Sequence, residues 1–421
     1  MTDETKQGQG KPQAQPKKRL KLDLQGAAVP LLAIFTALVL GALIIAFTDE
    51  TVYAAFRERG FFGGLGQVVE VIRVAYGSLF IGAFGDPVQL WQAIIHGDGE
   101  AFTQAIYPFT ETLRITTPYI FAGLAVAVGF QGGLFNVGAE GQYFIAGLAT
   151  VFVGYSLKGV PAIIHLPLAL VAGILGGAFW AAIAGWLKAK TGAHEVINTI
   201  MMNYIAFRFA EFMLDVGGPM ARPDSFRPVS PEIEPSAYLP QFFPSNSAIR
   251  FNWGFFLALA AAAFVGWLLY KTTLGYEIRT VGQNPHAARY AGISVPKTII
   301  LTMAISGGLA GLAGATDILG VLHFMPNAFA SGYGFDAIAL ALLGKSNPVG
   351  VVLASLLFGA LRAGARYMQG IAHIPLDITS ILQGVIIVFI AAPEIIRALY
   401  RLKQKGGEEE GMVFTRGWGQ M

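Results

Sequence analysis

Cysteine is absent from this chain of 421 residues, and charged side chains are scarce. Without cysteine there can be no disulfide framework and no thiolate-ligated metal site. Charged residues make up 13% of the sequence, about half of the ~25% that is ordinary for a soluble domain. Hydrophobic residues make up 54%, which is far too many for a disordered chain. The composition therefore excludes an ordinary soluble enzyme and indicates a polytopic membrane protein.

The sequence also lacks the motifs that carry common chemistry. None of the six histidines pairs with another at a metal-ligand spacing such as HxxxH, so no metal or other cofactor is expected. The segment Leu343–Ser346 ends like a phosphate-binding loop, but Ala339 stands where that motif requires glycine. No nucleophile elbow and no HExxH motif occurs. We expect a chain that is not an enzyme and has no ATPase site, and a net charge of +3 suggests no nucleic-acid partner.

Apolar runs of about the thickness of a bilayer recur along the chain. A helical span needs roughly 20 mostly apolar residues, because water does not satisfy the backbone inside the bilayer. This criterion predicts an all-α fold of about ten transmembrane helices. They cover about 27–47, 113–132, 142–156, 162–187, 196–216, 253–270, 297–319, 334–343, 349–366 and 376–398. Glycines at three- and four-residue spacing in 173–177 and 307–314 predict tight helix packing within one subunit, with a subunit interface as the alternative.

Lysine and arginine cluster beside the predicted spans before residue 27, at 188–190, at 271–297 and after residue 396. Short basic segments stay in the cytoplasm, and ten spans allow all four clusters to lie there. We expect 1–26 to be a cytoplasmic N-terminal tail, 27–398 the transmembrane domain and 399–421 a cytoplasmic C-terminal tail. Segments 48–112 and 217–250 are then expected on the external side of the membrane, and 275–296 in the cytoplasm.

Two polar, glycine-rich stretches interrupt the apolar pattern. One is Gly132–Gln142, and the other joins the seventh span to the short eighth. Non-helical backbone at membrane depth is tolerated only where protein or a water-filled path surrounds it. We interpret both stretches as broken helices that border a transport path, lined by Phe135, Asn136, Glu140, Asp317 and Asp336. For Glu140 the alternative is a turn at the cytoplasmic face, with its carboxylate in water.

The basic segment 275–296 carries the signals of a short helix. Asn284 suits the N-cap, Pro285 suits the first helical position and Gly292 suits the stop. These residues predict a helix of about two turns over 285–291. A free helix of this length is marginal in water, so we expect it to have a partner surface. A connecting loop on the membrane surface is the alternative.

Four motifs resemble those of integral membrane permeases of ABC importers for nucleosides and simple sugars. In chain order they are Gly133–Gln142, Glu195–Ile205, Asn284–Pro296 and Gly332–Gly344. The resemblance covers about 110–398, and within this superfamily of branched-chain amino acid and ribose-type permeases it is strongest to the purine nucleoside permeases.

The resemblance implies a pore-forming subunit of an ATP-driven importer of purine nucleosides in a bacterial inner membrane. Two permease subunits, often different ones, would form the pore. Separate ATP-binding subunits would dock from the cytoplasm, and an external binding protein or lipoprotein would deliver the substrate. The docking residues would be Pro285, Ala287, Ala288, Arg289, Ala291 and Gly292.

Other functions remain open at this point. The cargo of an ABC permease could instead be a ribose-like sugar, a branched-chain amino acid or another small solute. An ion-coupled secondary transporter would need buried titratable groups at mid-span, for which Glu140, Glu211, Asp317 and Asp336 are candidates. It gives no reason for a capped cytoplasmic helix. A membrane-embedded enzyme has no catalytic constellation to support it.

Overall fold

The computed structural model describes residues 24–401, apart from 224, 244–248, 328, 330 and 331. Most of both predicted tails lies outside these residues. The described chain forms α1 (Leu24–Thr48), α2 (Glu50–Phe84), α3 (Pro87–His96), α4 (Gly99–Gln131), α5 (Ala139–Ser156), α6 (Ala162–Thr191), α7 (Glu195–Leu214), α8 (Gly254–Lys271), α9 (Thr273–Gln283), α10 (Pro285–Tyr290), α11 (Val295–Asp317), α12 (Tyr333–Leu343), α13 (Pro348–Ala372), α14 (Leu376–Ala391) and α15 (Pro393–Leu399). A π-helical turn, Ile318–Leu322, continues α11.

The structure confirms an all-α membrane fold. Nine of the ten predicted spans each fall on one helix, although α4 begins well before the predicted second span. The tenth, 376–398, is divided between α14 and α15. Among the residues that the structure describes, seven helical segments are long and apolar enough to cross a membrane by length and composition, and two further apolar helices, α12 and α14, are shorter. The eleven residues of α12 cover only about 16 Å, or half the bilayer core.

One helix of membrane length lies in the segment that we expected outside the membrane. This is α2, which Gly60 breaks with a φ of 69°. Gln67 Nε2 donates to Thr51 Oγ1 at 3.1 Å, whereas a straight helix would separate these residues by about 24 Å. The first turns of α2 therefore fold back on the rest. At its other end, Thr112 Oγ1 donates to Ala83 O at 2.6 Å, beside the start of the predicted second span. The external placement of 48–112 stays a prediction.

The core of the fold is built around α4, and every residue from Ile115 to Phe130 is buried. Because its side chains are mostly apolar on all sides, α4 can be surrounded by α8, α11, α12 and α13. The hydroxyls of Thr116 and Thr117 bond to carbonyl groups of α4 itself, so they bring no unsatisfied donor into the core.

Helices α6 and α11 approach each other through glycine. A Cβ added at Gly177 would lie 2.3 Å from Gly307 O, and one added at Gly311 would lie 2.4 Å from Gly173 O. No side chain fits these positions without a shift of backbone. The prediction of tight packing within one subunit is therefore confirmed at this helix pair.

Candidate functional site

The break between α4 and α5 is buried, and its own side chains satisfy its backbone. Asn136 is fully buried and donates to Gln142 Oε1 at 2.9 Å and to Ser306 Oγ at 2.8 Å. Its Oδ1 accepts from Gly138 N at 2.9 Å. Asn203 of α7 bridges the same break, since it accepts from Gly141 N and donates to Val137 O. The hydrogen bonds of Asn136 thus stabilise the break between α4 and α5, and its role in a transport path stays a prediction.

Glu140 joins this break to the start of α12. Its side chain is 1% exposed, which excludes the alternative of a carboxylate in water. Its oxygens accept from Gly332 N at 3.1 Å and from Gly334 N at 2.6 Å. These are backbone donors at a helix N-terminus, which lack partners within the helix and carry partial positive charge. The remaining residue of the predicted break, Phe135, is half-buried and packs against Phe130.

Asp317 lies at the point where α11 passes into its π-helical turn. It is 7% exposed, and its Oδ2 accepts from Tyr143 OH at 2.6 Å. The Tyr143 ring stacks on Phe329, with centroids 4.4 Å apart. Asp317 lines a small cleft together with Arg114, Thr117, Phe251, Asn252, Thr316 and Val321.

Asp336 belongs to a neighbouring cluster of aromatic and charged side chains. Its Oδ2 accepts from Tyr119 OH at 2.7 Å, and Arg362 Nη1 donates to the same hydroxyl at 2.8 Å. Arg362 also lies over the Tyr333 ring, 4.9 Å from its centroid, which is a cation–π distance. The structure therefore brings Asp317, Asp336 and Glu140 around the Tyr143–Tyr333 pair, whose ring centroids lie 6.1 Å apart.

Two arginines of this region were not among the predicted site residues. Arg114 and Arg362 both lie inside predicted spans. A charged residue within a membrane span costs free energy and is a functional candidate by default, so their positions in the sequence could have identified them. Arg114 is paired with Glu111 through Nε at 2.7 Å and Nη2 at 2.5 Å. Arg366 donates to the same glutamate at 3.0 Å. In the described part of the chain, Asp317 forms no such ion pair.

The short helix α10 lies at the opposite end of α4, α8 and α11 from this cleft. Asn284 accepts from the backbone N–H groups of His286 and Ala287 at 3.0 Å, which confirms the predicted cap. Gly292 ends the segment with a φ of 80°. Ala288 is fully buried against Val281 and Val295, so it anchors α10 instead of facing outward.

The other predicted docking residues, in α10 and just after it, are exposed: Pro285, Ala287, Arg289, Ala291 and Gly292. Tyr290 is 95% exposed and was missed by the sequence analysis, although a single aromatic on a small, polar helix is a signal for a contact residue. The preceding helix α9 touches the broken segment: a Cβ on Gly282 would lie 2.3 Å from Gln131 O. This backbone contact connects the α9–α10 region to the α4–α5 break.

Comparison with known proteins shows which family this chain resembles. Residues 109–391 match the family model described as the permease component of branched-chain amino acid transport systems. The guanosine ABC transporter permease protein NupP of Bacillus subtilis is 39% identical over 389 residues, which cover 90% of this chain and 97% of that protein. A nucleoside permease of Lactococcus lactis is 34% identical over 69% of this chain and 80% of its own length. A glucose permease of Haloferax volcanii is 35% identical over 69% of this chain and 78% of its own length.

Proposed function

The chain belongs to the permease family of branched-chain amino acid transport systems, and we propose that it is the pore-forming subunit of an ATP-driven importer of purine nucleosides. The assignment of purine nucleosides as the cargo is supported by the 39% identity to a guanosine permease, which extends over 90% of the chain. A ribose-like sugar or another small solute is the second candidate, and the similarity to a glucose permease supports it.

As a member of an ABC permease family, the chain works with ATP-binding and substrate-binding partners. We propose that the pore also needs a second, different permease subunit, and that the ATPase sites lie entirely in the separate ATP-binding subunits. We propose that both termini and segment 275–296 are cytoplasmic, in a bacterial inner membrane, with 48–112 and 217–250 outside. The basic clusters beside the spans support this orientation.

The contacts of α10 suggest how ATP-driven motion reaches the membrane. The ATP-binding subunits would grip the exposed residues Arg289 and Tyr290, while buried Ala288 fixes α10 to α9 and α11. A displacement of α9 then acts on the α4–α5 break through Gly282. The carboxylate of Glu140 connects that break to the start of α12. Such a chain of packed elements can switch between two arrangements, which an importer requires for alternating access.

The cleft and the Asp336 cluster are the proposed lining of the path. Asp317 and Asp336 supply carboxylates that suit ribose hydroxyls. The neighbouring rings of Tyr119, Tyr143 and Phe329 are buried in this arrangement, so they would contact a base only after the path opens. We propose that Phe135, Asn136 and Glu140 border the path and keep the broken helix in place.

Uptake of a substrate panel tests the cargo. Cells with and without this chain are given labelled guanosine, adenosine, ribose, glucose and leucine. We expect chain-dependent uptake of guanosine and adenosine, and none of leucine. Chain-dependent uptake of the sugars alone would refute the nucleoside assignment while leaving the permease role intact.

A further inference from the structure

We propose that residues 228–239, which we term the strap, form a gate on the external side of the proposed path. The strap holds this side closed and must lift before cargo can enter. The inference rests on the proposed function, which places 217–250 outside the membrane. It names the part of the chain that opens at the end opposite α10.

In the part of the chain that the structure describes, the proposed path is closed. The cleft beside Asp317 has room for about one water molecule, which is far less than a nucleoside needs. The neighbouring rings of Tyr143 and Phe329 are buried. Cargo can therefore reach these residues only after some part of the chain moves.

The strap crosses the segment that follows the π-helical turn of α11. Ser230 N donates to Met325 O at 2.9 Å, and Met325 N donates to Ser230 Oγ at 2.9 Å. Farther along the strap, Ile233 N donates to His323 O at 2.9 Å. The ring of His323 also stacks on Tyr238, with centroids 3.8 Å apart. The strap thus holds this segment through both backbone and side-chain contacts.

The segment beneath the strap leads to the residues of the proposed path. Met325 is fully buried, and its sulfur would lie 3.3 Å from a Cβ added at Gly147 of α5. Phe329 follows and stacks on Tyr143, whose hydroxyl donates to Asp317. Because the segment contacts Tyr143 in this way, lifting the strap would free it to move away from Asp317.

The middle of the strap is attached to the end of α5 and the start of α6 by hydrogen bonds. Glu234 N donates to Gly154 O at 2.8 Å. His165 Nε2 donates to Val153 O at 3.1 Å, so in the neutral ring Nδ1 accepts from Ser236 Oγ at 2.7 Å. Hydrogen bonds of this kind can be exchanged for bonds to water at a small net cost.

Apolar side chains seal the closed position. Ile233, Ala237 and Leu239 are at most 5% exposed and belong to the same core cluster as the residues of α4. A Cβ added at Gly154 would lie 2.5 Å from Ile233 Cγ2, so the strap packs directly on the backbone of α5. The strap is therefore a fitted cover and not a loop that only passes over the surface.

The strap can lift without unfolding a longer element. Its residues, all of them described, form one short helical turn, Pro235–Ala237, and one isolated bridge, between Val229 and Pro326. Prolines at 228, 231 and 235 account for this, because proline fixes φ and has no N–H to donate. Gly217 lies between α7 and the strap with a φ of 81°, and such a position can absorb a change of backbone angles.

A removable cross-link tests whether the strap must move. Backbone hydrogen bonds flank the Val229–Pro326 bridge on both sides, so the two residues are a non-hydrogen-bonded pair with Cα atoms about 4.5 Å apart. This separation suits a disulfide. The wild-type chain has no cysteine, so Val229→Cys combined with Pro326→Cys introduces the only pair within this subunit.

Guanosine uptake is measured with the complete importer, including its partner subunits, in proteoliposomes. We expect oxidation to lower uptake by the double variant about tenfold or more, because a locked gate blocks alternating access. Dithiothreitol should restore it. Val229→Cys alone and Pro326→Cys alone are the matched controls and should transport under the same oxidant. Full uptake by the oxidised double variant, with the disulfide verified by mass, would overturn the inference and indicate a static clamp.

Two outcomes would count against the proposed function instead of the gate. One is absence of guanosine uptake by the wild type. The other concerns Phe226, which lies just before the strap and is 98% exposed. Phe226→Cys should react with a membrane-impermeant maleimide added outside, and reaction only from the inside would refute the external placement of this region.

A second measurement uses the wild type and does not depend on the cargo or on how a variant folds. The amides of Ser230, Ile233 and Leu239 donate to carbonyls outside the strap, so their hydrogen exchange should be slow in the resting complex. Exchange is measured again with the substrate-binding partner docked, with and without a non-hydrolysable ATP analogue. We expect it to be about tenfold faster or more in at least one docked state. Equal exchange in all states would overturn the inference.

Discussion

Replacement of Glu140 by glutamine tests whether this carboxylate fixes the start of α12. The buried carboxylate accepts from Gly334 N at 2.6 Å and from Gly332 N at 3.1 Å. Glutamine keeps one acceptor oxygen, which we expect at Gly334. Its amide group would then face the N–H of Gly332, so that a donor opposes a donor.

The expected cost follows from these two bonds. The bond to Gly334 loses the assistance of a full charge, which costs about 1 kcal/mol, and the orphaned donor at Gly332 costs about 1–3 kcal/mol. Loss of the negative charge beside the helix N-terminus adds about 0.3–1 kcal/mol. We expect Glu140→Gln to lower the free energy of unfolding by about 2–5 kcal/mol.

The measurement is a denaturant titration of the purified permease in mixed micelles. Glu70→Gln is the matched control, since Glu70 is also helical and bonds to Arg73, but its side chain is 51% exposed. An exposed pair contributes little, so the control should change stability by less than about 1 kcal/mol. If Glu140→Gln costs no more than this control, the carboxylate does not hold α12 and the proposed connection through it is wrong.

Three further predictions concern other parts of the molecule. Arg289→Glu should weaken copurification of the ATP-binding subunits by about tenfold without impairing membrane insertion. The same charge reversal at Arg227, which is also exposed, should leave copurification unchanged. Full binding by the Arg289 variant would place the docking site elsewhere. Gly177→Ala should lower the free energy of unfolding by about 1–3 kcal/mol, because the added methyl group meets Gly307 O. Gly384→Ala is the control, since the space around Gly384 is open and the substitution should not lower stability. Equal effects of the two substitutions would contradict the α6–α11 packing. Burial and the nearby Arg250 lower the pKa of His323 below its ordinary value of 6.5. As the pH falls through 6.5, the unfolded chain takes up the proton before the folded protein does, so the free energy of unfolding should decrease below that pH. His323→Asn should flatten this decrease, and equal slopes for the variant and the wild type would refute the prediction.

The sequence was sufficient to predict the helices because bilayer chemistry demands long apolar runs. It was also sufficient for the cap of α10, since Asn284 and Pro285 act locally. The prediction was less successful for α2, which folds back at Gly60 and contains a stretch apolar enough to span, although 48–112 was expected outside. Local patterns do not report such a fold-back, because it depends on contacts between residues such as Thr51 and Gln67.

The candidate site was predictable as a region but not as a set of contacts. The sequence singled out Asp317, Asp336 and Glu140 because acids are rare in spans. It could not show that Glu140 bonds to α12, since 192 residues separate its carboxylate from Gly332. Ala288 was grouped with exposed docking residues because all alanines on a two-turn helix look alike until its partners α9 and α11 are placed.

The energy source of guanosine uptake tests the central claim most directly. Cells that express this chain with its partner subunits are loaded with labelled guanosine under two treatments. One is an uncoupler that removes the proton gradient while ATP is held constant, and the other depletes ATP while the gradient is kept. An ABC importer predicts uptake that survives the uncoupler and stops without ATP. Uptake that stops with the proton gradient while ATP persists would contradict this account and indicate a secondary transporter.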